Sequence, residues 1–320
     1  MTAQEEQIEF VVGEDEAGVR LDAFLSERID TWSRSRLKKL IDEGDALVNG
    51  AQSKGSYKLR DGDKINVELT EQADERFEPE DIPLDVVFED EFLAVINKPA
   101  GMVVHPGAGV SSGTLANAIA FRFQHDTEGR FDSAGNRVGI VHRLDKDTSG
   151  LMVVAKNELT AEKLSAQFQD RRVSKSYIAL VHGFVRKLTG KVEEPIARDR
   201  VNRTKMSVDK NGRNALSIYK VRKRYERFTL LDVDIKTGRT HQIRVHLAHL
   251  NHPIVGDELY NMGRDNTILD PTIKRAVHKL GRFFLHAEKL SFTHPVTKEQ
   301  MAFEQALPDE LTDLLGLGGL

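Results

Sequence analysis

From about Ile82 onward the sequence alternates short apolar runs with amphipathic segments, and this alternation limits the possible folds. Four runs are typical of strands: FLAVINKP, GLMVVAKN, SYIALVHG and FTLLDVDI. Two segments have helical spacing: TAEKLSAQFQDRRV and THQIRVHLAHLN. Because strands outnumber helices and turns separate them closely, we predict an α+β fold on a mixed, largely antiparallel β-sheet with flanking helices. A doubly wound nucleotide-binding fold is disfavoured, since no GxGxxG or GxxxxGKS/T motif occurs.

Length and composition narrow the class of protein. A chain of 320 residues with 39% hydrophobic residues can bury a core and is expected to form about two domains. The absence of cysteine excludes disulfides and thiolate metal sites. The N-terminus, MTAQEEQIEF, lacks an apolar signal region, and no stretch approaches the ~18 apolar residues of a membrane span. We therefore expect a soluble, cytoplasmic protein without a membrane partner.

Charge is distributed unevenly, although the formal net charge is only -4. The segment from Glu71 to Glu91 holds ten carboxylates and one base, which predicts an acidic linker over 76–90 that ends in a strand. The segment from Arg198 to Arg227 holds eleven Lys or Arg against three acids. This local excess of eight positive charges would attract phosphates, and the alternative is a solvated charged face.

A small unit over residues 18–75 precedes the linker. Ser33 is a candidate cap for a helix, SRSRLKKLIDEG, whose Leu37, Leu40 and Ile41 share one face. The basic residues on the rest of this helix are candidate RNA contacts: Arg34, Arg36, Lys38 and Lys39. An Asn-Gly turn follows ALV, and an Asp-Gly turn follows KLR. The order RLDAFL, SRSRLKKLI, LVNG and DGD resembles the S4 RNA-binding domain, a module of ribosomal proteins and RNA-modifying enzymes.

The motif HRLD lies within GIVHRLDKDTSGLMVVAKN, residues 139–157. Asp145, Asp147, Ser149 and Gly150 match positions 1, 3, 5 and 6 of a calcium-binding EF-hand loop. Position 12 is Lys156 instead of Glu, and LMVVA reads as a strand where a helix should begin, so calcium is disfavoured. A charged, solvated turn between two strands is the other simple interpretation.

Three further motifs accompany HRLD. KPAGMVVHP, residues 98–106, forms a Pro-Gly turn after a strand, and KSYIALVHG, residues 175–183, places Tyr177 near the start of another. TGRTHQIRVHLAHLNH, residues 237–252, predicts a turn, an N-cap at Thr240 and a helix that carries Arg244. Its histidines do not follow HExxH and have no carboxylate among them, which favours packed or solvent-facing histidines over zinc. We therefore expect no metal site.

Together these segments resemble the RluA/RluD family of pseudouridine synthases from about Val19 to FTHPVTKEQ near residue 300. HRLDKDTSGL is specific to that family, and RFEPEDIPLD with INKPAGMVVHPGAG is similar to the type that modifies large-subunit ribosomal RNA. The resemblance implies a catalytic domain over 91–308. The polar insert RFQHDTEGRFDSAGNR, residues 122–137, departs from the family pattern.

The resemblance also implies a chemistry and a set of residues. Uridine becomes pseudouridine without a redox cofactor, nucleotide or metal. Asp145 matches the family's catalytic carboxylate and Arg244 its ionic partner, since a close guanidinium keeps a buried carboxylate ionised. The resemblance leaves three roles for Asp145: attack on C6, attack on C1′, or removal of a sugar proton. Tyr177 matches the tyrosine that stacks on the base and shuttles the C5 proton.

The resemblance finally predicts how RNA is held and which partner supplies it. Arg143 matches the residue that fills the gap left when the uridine is flipped from its stack. The remaining expected RNA contacts are His142, Arg203, Lys205 and Arg239. The expected partner is large-subunit ribosomal RNA or the assembling large subunit, bound by a monomer. The alternative function is a ribosome-assembly factor that binds RNA without catalysis, and the intact set Asp145, Tyr177 and Arg244 favours the enzyme.

Overall fold

The computed structural model describes residues 5–29, 37, 40–41, 44–70, 78–106, 110–123, 139–202, 204–318 and 320. The chain divides into two compact units, an N-terminal unit up to residue 76 and a larger C-terminal unit that begins at residue 77. Four of the predicted RNA contacts on the N-terminal helix, together with Arg203 and most of the insert 122–137, lie outside the described residues. Among the described residues no helix is both long and apolar enough to cross a membrane.

The N-terminal unit is built on an antiparallel sheet in the order β1-β4-β2-β3. Its strands are β1 (Glu5–Val11), β2 (Ala46–Val48), β3 (Ala51–Gln52) and β4 (Lys64–Thr70), and α1 covers Leu21–Arg28. The predicted turn between β2 and β3 is confirmed, because Asn49 and Gly50 have φ angles of 51° and 76°. The predicted unit starts at residue 18. In the structure β1, which precedes that residue, also belongs to the sheet.

One hydrophobic core holds the N-terminal unit together. The predicted apolar face is confirmed, since Leu37, Leu40 and Ile41 are all buried. They pack with Leu21 and Ile65 from α1 and β4. The unit therefore has a core of its own, as an independently folding module requires.

The C-terminal unit is a mixed, largely antiparallel sheet with helices, as predicted. Its helices are α2 (Leu115–Phe123), α3 (Glu158–Gln169), α4 (Gln242–His249), α5 (Pro271–Leu280) and α6 (Asp309–Leu315). Its strands are β5 (Asp85–Glu89), β6 (Leu93–Lys98), β7 (Ser149–Ala155), β8 (Ser174–His182), β9 (Thr189–Val192), β10 (Ile196–Arg198), β11 (Met206–Val208), β12 (Ser217–Arg224), β13 (Phe228–Ile235), β14 (Leu285–Thr293) and β15 (Gln300–Glu304). The main sheet has the order β5-β6-β7-β14-β8-β13-β12-β9, with β15 also paired to β14, while β10 and β11 form a separate hairpin.

The main sheet is buried on both faces, which explains its continuous apolar runs. Every residue of β7 is buried, as expected for a central strand covered on two sides. One hydrophobic core lies between the sheet and residues of α2, α4, α5 and α6, and a second core includes Leu164 of α3. Leu311 and Leu314 of α6 belong to the larger core, although they follow residue 308, where the predicted catalytic domain ends.

The two halves of the main sheet meet along a short seam between β7 and β14. These strands are parallel and pair at two positions, Ser149 with His286 and Gly150 with Ala287. Gly150 has a φ of 114°, and a Cβ there would lie 2.3 Å from the Ala287 carbonyl oxygen, so only glycine fits. Nδ1 of His286 lies 2.8 Å from the Ser149 hydroxyl, which also accepts a hydrogen bond of 3.0 Å from Arg282. The seam is therefore narrow, tightly packed and polar on one side.

Candidate active site

A cavity of about 460 Å³ lies where the HRLD turn meets the start of β8, the end of β13 and the beginning of α4. Asp145, Tyr177 and Arg244 all line it, so the structure brings the three predicted catalytic residues together. His142, Arg143 and Arg239 line the same cavity. Its volume is in the range of pockets that hold small ligands or a single nucleotide.

The HRLD turn is fixed at both ends by the sheet. Before the turn, Ile140 forms a bridge with Val154, and Gly139 accepts a hydrogen bond of 2.8 Å from the Ala155 amide. Within it, the buried Leu144 anchors the turn in the core, and the Thr148 amide donates to the Asp145 carbonyl at 3.1 Å. After it, the chain enters β7 directly, as the sequence predicted. Asp145 is therefore presented by a short turn with little freedom to move.

Arg244 forms the predicted ion pair with Asp145. Its Nη1 lies 3.2 Å from Oδ2 of Asp145, and both side chains are largely buried, with 8% and 17% exposure. Among the described residues, Oδ1 of Asp145 has no hydrogen-bonding partner. One carboxylate oxygen is thus held by the guanidinium, and the other is available to a ligand in the cavity.

Asp257, which the sequence analysis did not identify, holds the opposite edge of Arg244. Nε and Nη2 of Arg244 donate to the two oxygens of Asp257 at 2.7 and 2.9 Å, in a bidentate pair. The rings of Phe283 and Tyr260 lie 4.2 and 4.9 Å from the guanidinium carbon. Burial lowers the pKa of Arg244, but the hydrogen bonds and charges of Asp257 and Asp145 outweigh it and raise that pKa. Arg244 therefore stays charged and has one fixed orientation.

Tyr177 lies on β8 and is 6% exposed. Burial, reinforced by the charge of Asp145, raises the pKa of its phenol, so the hydroxyl is protonated near neutral pH. In the part of the chain that the structure describes, this hydroxyl has no hydrogen-bonding partner. A neutral phenol that faces the cavity can therefore stack on, or exchange a proton with, a bound base.

Lys98 is a second residue that the sequence analysis missed. It is fully buried, and its Nζ donates to the carbonyl oxygens of Pro99, Met102 and Lys146 at 2.7, 2.9 and 2.9 Å. Burial lowers its pKa to about 7, and the charge of Arg282 adds to this effect. Because Lys146 follows Asp145, the amine ties the KPAG turn to the HRLD turn. A lysine at the end of an apolar strand is the only sequence signal for this role.

His142 serves the sheet as well as the cavity. Its Nε2 accepts a hydrogen bond of 3.0 Å from the Val153 amide, and its ring stacks on Phe168 at 4.6 Å. Burial, with a contribution from the charge of Lys175, lowers the pKa of His142 to about 3. Burial also lowers the pKa of Lys175 to about 8. His142 is therefore a neutral ring at the cavity wall, and a charged contact with phosphate falls to other residues.

The other predicted RNA contacts occupy different positions. Arg143 is exposed beside the cavity. Nε of Arg239 donates to the Asn214 carbonyl at 3.2 Å, which orients its side chain along the cavity rim. Lys205 lies in the loop before β11 and is not among the residues that line the cavity.

The start of α4 differs from the prediction. Thr240 is not the N-cap: the helix begins at Gln242, and the cap residue is His241, with a left-handed φ of 56°. Instead of a threonine cap, the Gln242 side chain accepts hydrogen bonds from the Arg239 amide at 3.1 Å and the Thr237 hydroxyl at 2.7 Å. This arrangement turns His241 into the cavity, where its Nδ1 lies 2.8 Å from the Tyr260 hydroxyl.

The residues considered as metal ligands are engaged elsewhere. His246 contacts the Ser217 hydroxyl and the Glu194 carbonyl, and His252 contacts the His182 carbonyl. Ser149, which would be the third ligand of a calcium loop, is buried in β7 beside His286. Among the described residues, no group of three or more His, Cys, Asp or Glu could hold a metal ion.

Several known proteins resemble this chain in sequence. The family model of RNA pseudouridylate synthases matches residues 92–249. The ribosomal large subunit pseudouridine synthase D of Escherichia coli O6:H1 is 40% identical over 98% of this chain and 94% of its own length. The same-named protein of Neisseria meningitidis serogroup A is 43% identical over 98% of this chain and 82% of its own length.

Solved structures agree with this assignment. The human RNA pseudouridylate synthase domain containing 4 is 26% identical with a TM-score of 0.57, over 72% of this chain and 92% of its own. The human RNA pseudouridylate synthase domain containing 1 is 25% identical with a TM-score of 0.55, over 72% of this chain and 87% of its own. With near full-length relatives at about 40% identity and a cavity that assembles the family's motifs, the chain belongs to the RluA/RluD family of RNA pseudouridine synthases.

Proposed function

We propose that this protein converts specific uridines of large-subunit ribosomal RNA to pseudouridine, with Asp145 as the essential carboxylate. The observation that carries the proposal is the Asp145–Arg244 pair beside Tyr177 in one cavity, with Oδ1 of Asp145 available to the substrate. The names of the bacterial relatives support the choice of large-subunit RNA. The same proposal has the enzyme act as a monomer in the cytoplasm.

The reaction needs few groups beyond those in the cavity. The N1–C1′ bond breaks and a C5–C1′ bond forms, while C5 loses a proton and N1 gains one, so atoms balance without a second substrate. Arg244 places a positive charge beside Asp145 while the base covers it, and its bond to Asp257 prevents the guanidinium from following the substrate. Tyr177 supplies a neutral hydroxyl at the cavity wall for the base and its C5 proton.

RNA binding is assigned to three regions. Arg143 replaces the flipped uridine in the stack, and Arg239 lies at the rim where phosphates pass. The N-terminal unit acts as the S4-like RNA-binding module over about 18–75. Its own hydrophobic core supports an independent module, and its resemblance to S4 domains in sequence supports RNA as its ligand.

Asp145→Asn tests the proposal. The amide keeps the shape of the side chain but removes the charge, so formation of pseudouridine in a ribosomal stem-loop transcript should be abolished. Folding should change little, because Arg244 retains its bidentate pair with Asp257. RNA binding should be largely retained.

Asp147→Asn is the matched control, since it makes the same substitution two residues along the same turn and should keep most of the activity. Reactions are run without added metal, with and without a chelator. Product formation by Asp145→Asn, or loss of wild-type turnover in the chelator, would contradict the assignment.

A further inference from the structure

A basic and aromatic surface lies at the end of β8 and the start of β13, at the opposite end of these strands from the cavity. We call it the distal patch and define it by the exposed residues Phe184, Arg186, Lys187, Leu188, Lys223 and Arg227. Tyr177 and His182 are five residues apart on β8, which corresponds to about 17 Å along a strand. The distal patch is therefore separate from the cavity where the base reacts.

The loop that carries Phe184 is held in place by hydrogen bonds at several points. The Thr229 hydroxyl accepts from the Val185 amide at 3.1 Å and donates to the Gly183 carbonyl at 2.8 Å. The Arg224 guanidinium donates to the Val185 carbonyl at 3.0 and 3.1 Å. It also donates to the Arg186 carbonyl at 2.8 Å. The patch is thus preorganised and would lose little conformational freedom when a ligand binds.

Phe184 presents an aromatic face to solvent. Its side chain is 53% exposed, and the Arg224 guanidinium carbon lies 4.6 Å from its ring centroid. Because Arg224 covers one face of the ring, the exposed area belongs mainly to the other face and the edge. Leu188 beside it in the loop is 63% exposed. An open aromatic face with a fixed orientation is the usual platform on which a nucleobase stacks.

The charge around this ring is strongly positive. Segments 183–190 and 220–227 contain seven Lys or Arg and one acid, Glu226. Arg222 pairs with both Glu288 and Asp232, so seven positive charges face three negative ones, a local excess of four positive charges. The basic excess noted between Arg198 and Arg227 is therefore divided between the β10–β11 hairpin and the distal patch.

We propose that the distal patch binds a single-stranded segment of the substrate RNA that flanks the target stem-loop. Phe184 stacks on one base, while Arg186 and Lys187 contact neighbouring phosphates. The inference rests on the proposed RNA substrate and adds a second contact region to it. An acidic protein surface would also neutralise these charges. A planar nucleobase is favoured because it can also stack on the open face of the Phe184 ring.

The experiment compares two transcripts with the full-length protein. One is a minimal stem-loop that contains the target uridine, and the other adds a single-stranded flank of about 12 nucleotides on each side, long enough to span about 40 Å when stacked. Phe184→Leu keeps an apolar side chain but removes the stacking surface, whereas Phe184→Trp keeps it. Arg186→Gln/Lys187→Gln removes two charges, and its matched control is Arg275→Gln/Lys279→Gln on the exposed face of α5.

Phe184→Leu should weaken binding of the flanked transcript roughly tenfold, the equivalent of one base stack, while Phe184→Trp binds like the wild type. Arg186→Gln/Lys187→Gln should reduce the slope of log affinity against log salt by about 1.4, and the α5 control should not. Turnover of the minimal stem-loop should be unchanged in every variant, which separates this inference from the proposed function.

Two results would overturn the inference. Equal affinity of the wild type and Phe184→Leu for the flanked transcript would show that no base stacks on the ring. If the variants bind naked RNA normally but bind assembling ribosomal particles weakly, the patch contacts a protein. Circular dichroism and thermal unfolding establish that each variant is folded before binding is measured.

Discussion

Lys98→Met should lower both the stability of the protein and the rate of the chemical step. Methionine has a similar volume, but it cannot donate to the carbonyls of Pro99, Met102 and Lys146. The Lys146 carbonyl would still accept the hydrogen bond of 3.0 Å from the Gly101 amide. The carbonyls of Pro99 and Met102 would therefore be the two acceptors that lose their donor. At roughly 1–3 kcal/mol for each unsatisfied group, the loss is about 4 kcal/mol. Burial of the apolar methionine offsets about 2 kcal/mol of it.

A net loss of about 2 kcal/mol should lower the melting temperature by about 4–8 °C for a unit of this size. The effect on catalysis has a different origin, because Lys146 follows Asp145 and its carbonyl positions the turn. Displacement of the carboxylate by about 1 Å costs on the order of 100-fold in rate. We therefore expect kcat to fall 10- to 100-fold at temperatures where the variant is fully folded.

The stability difference should also depend on pH. The folded-state pKa of Lys98 is about 7, below the ordinary value of 10.5, so between these values the unfolded chain binds more protons than the folded protein. Stability from this group therefore rises as pH increases through 7. The advantage of the wild type over Lys98→Met should grow by about 1 kcal/mol between pH 7 and pH 8.

Lys156→Met is the control for burial of a lysine. Lys156 is also buried, but its amine contacts Glu89 and the Asp90 carbonyl, far along β7 from Asp145. This variant should lose stability without a change in kcat. Chemical denaturation measures the free energy of unfolding, and single-turnover assays measure the chemical step. If the free energy of unfolding of Lys98→Met is within about 0.5 kcal/mol of the wild-type value and kcat is unchanged, the amine does not position the turn.

Three other perturbations separate the remaining roles. Tyr177→Phe should bind RNA normally but accumulate little C5-linked product in single-turnover assays, whereas full turnover would leave Tyr177 a packing residue. Arg244→Lys should fold, because a positive charge remains beside Asp257. It should lose most activity, because one ammonium group cannot bridge the carboxylates of Asp145 and Asp257, and a wild-type kcat would refute this. A chain that begins at residue 78 should retain a folded catalytic unit with weaker, less salt-dependent RNA binding, and unchanged affinity across a salt titration would count against an RNA-binding N-terminal unit.

The sequence predicted most of the local structure because the signals are local. The apolar runs at β6, β7, β8 and β13 and the Asn-Gly turn after β2 were all placed correctly. The buried face of Leu37, Leu40 and Ile41 follows from helical spacing alone. The three predicted catalytic residues come from the family's motifs, and the structure brings them into one cavity.

The sequence did not predict features that depend on contacts between distant segments. Asp257 lies 13 residues after Arg244 in an irregular turn, where no motif marks it as an ionic partner. The three acceptors of Lys98 are carbonyl oxygens, which carry no information in the side-chain sequence. At the start of α4, Gln242 replaced the expected Thr240 cap because its side chain reaches back to two donors of the preceding turn.

The seam between β7 and β14 determines when the active site can form during synthesis. Ser149 and His286 meet across it although they are 137 residues apart in the chain. Asp145 precedes the first of these strands, whereas Tyr177, Arg244 and Leu285 are supplied by the other half of the sheet or by segments that pack on it. Because a ribosome delivers the N-terminal residues first, a nascent chain that ends before residue 285 contains Asp145, Tyr177 and Arg244 but lacks the strand that joins the two halves. We therefore expect the enzyme to become competent to modify RNA only after β14 has been synthesised.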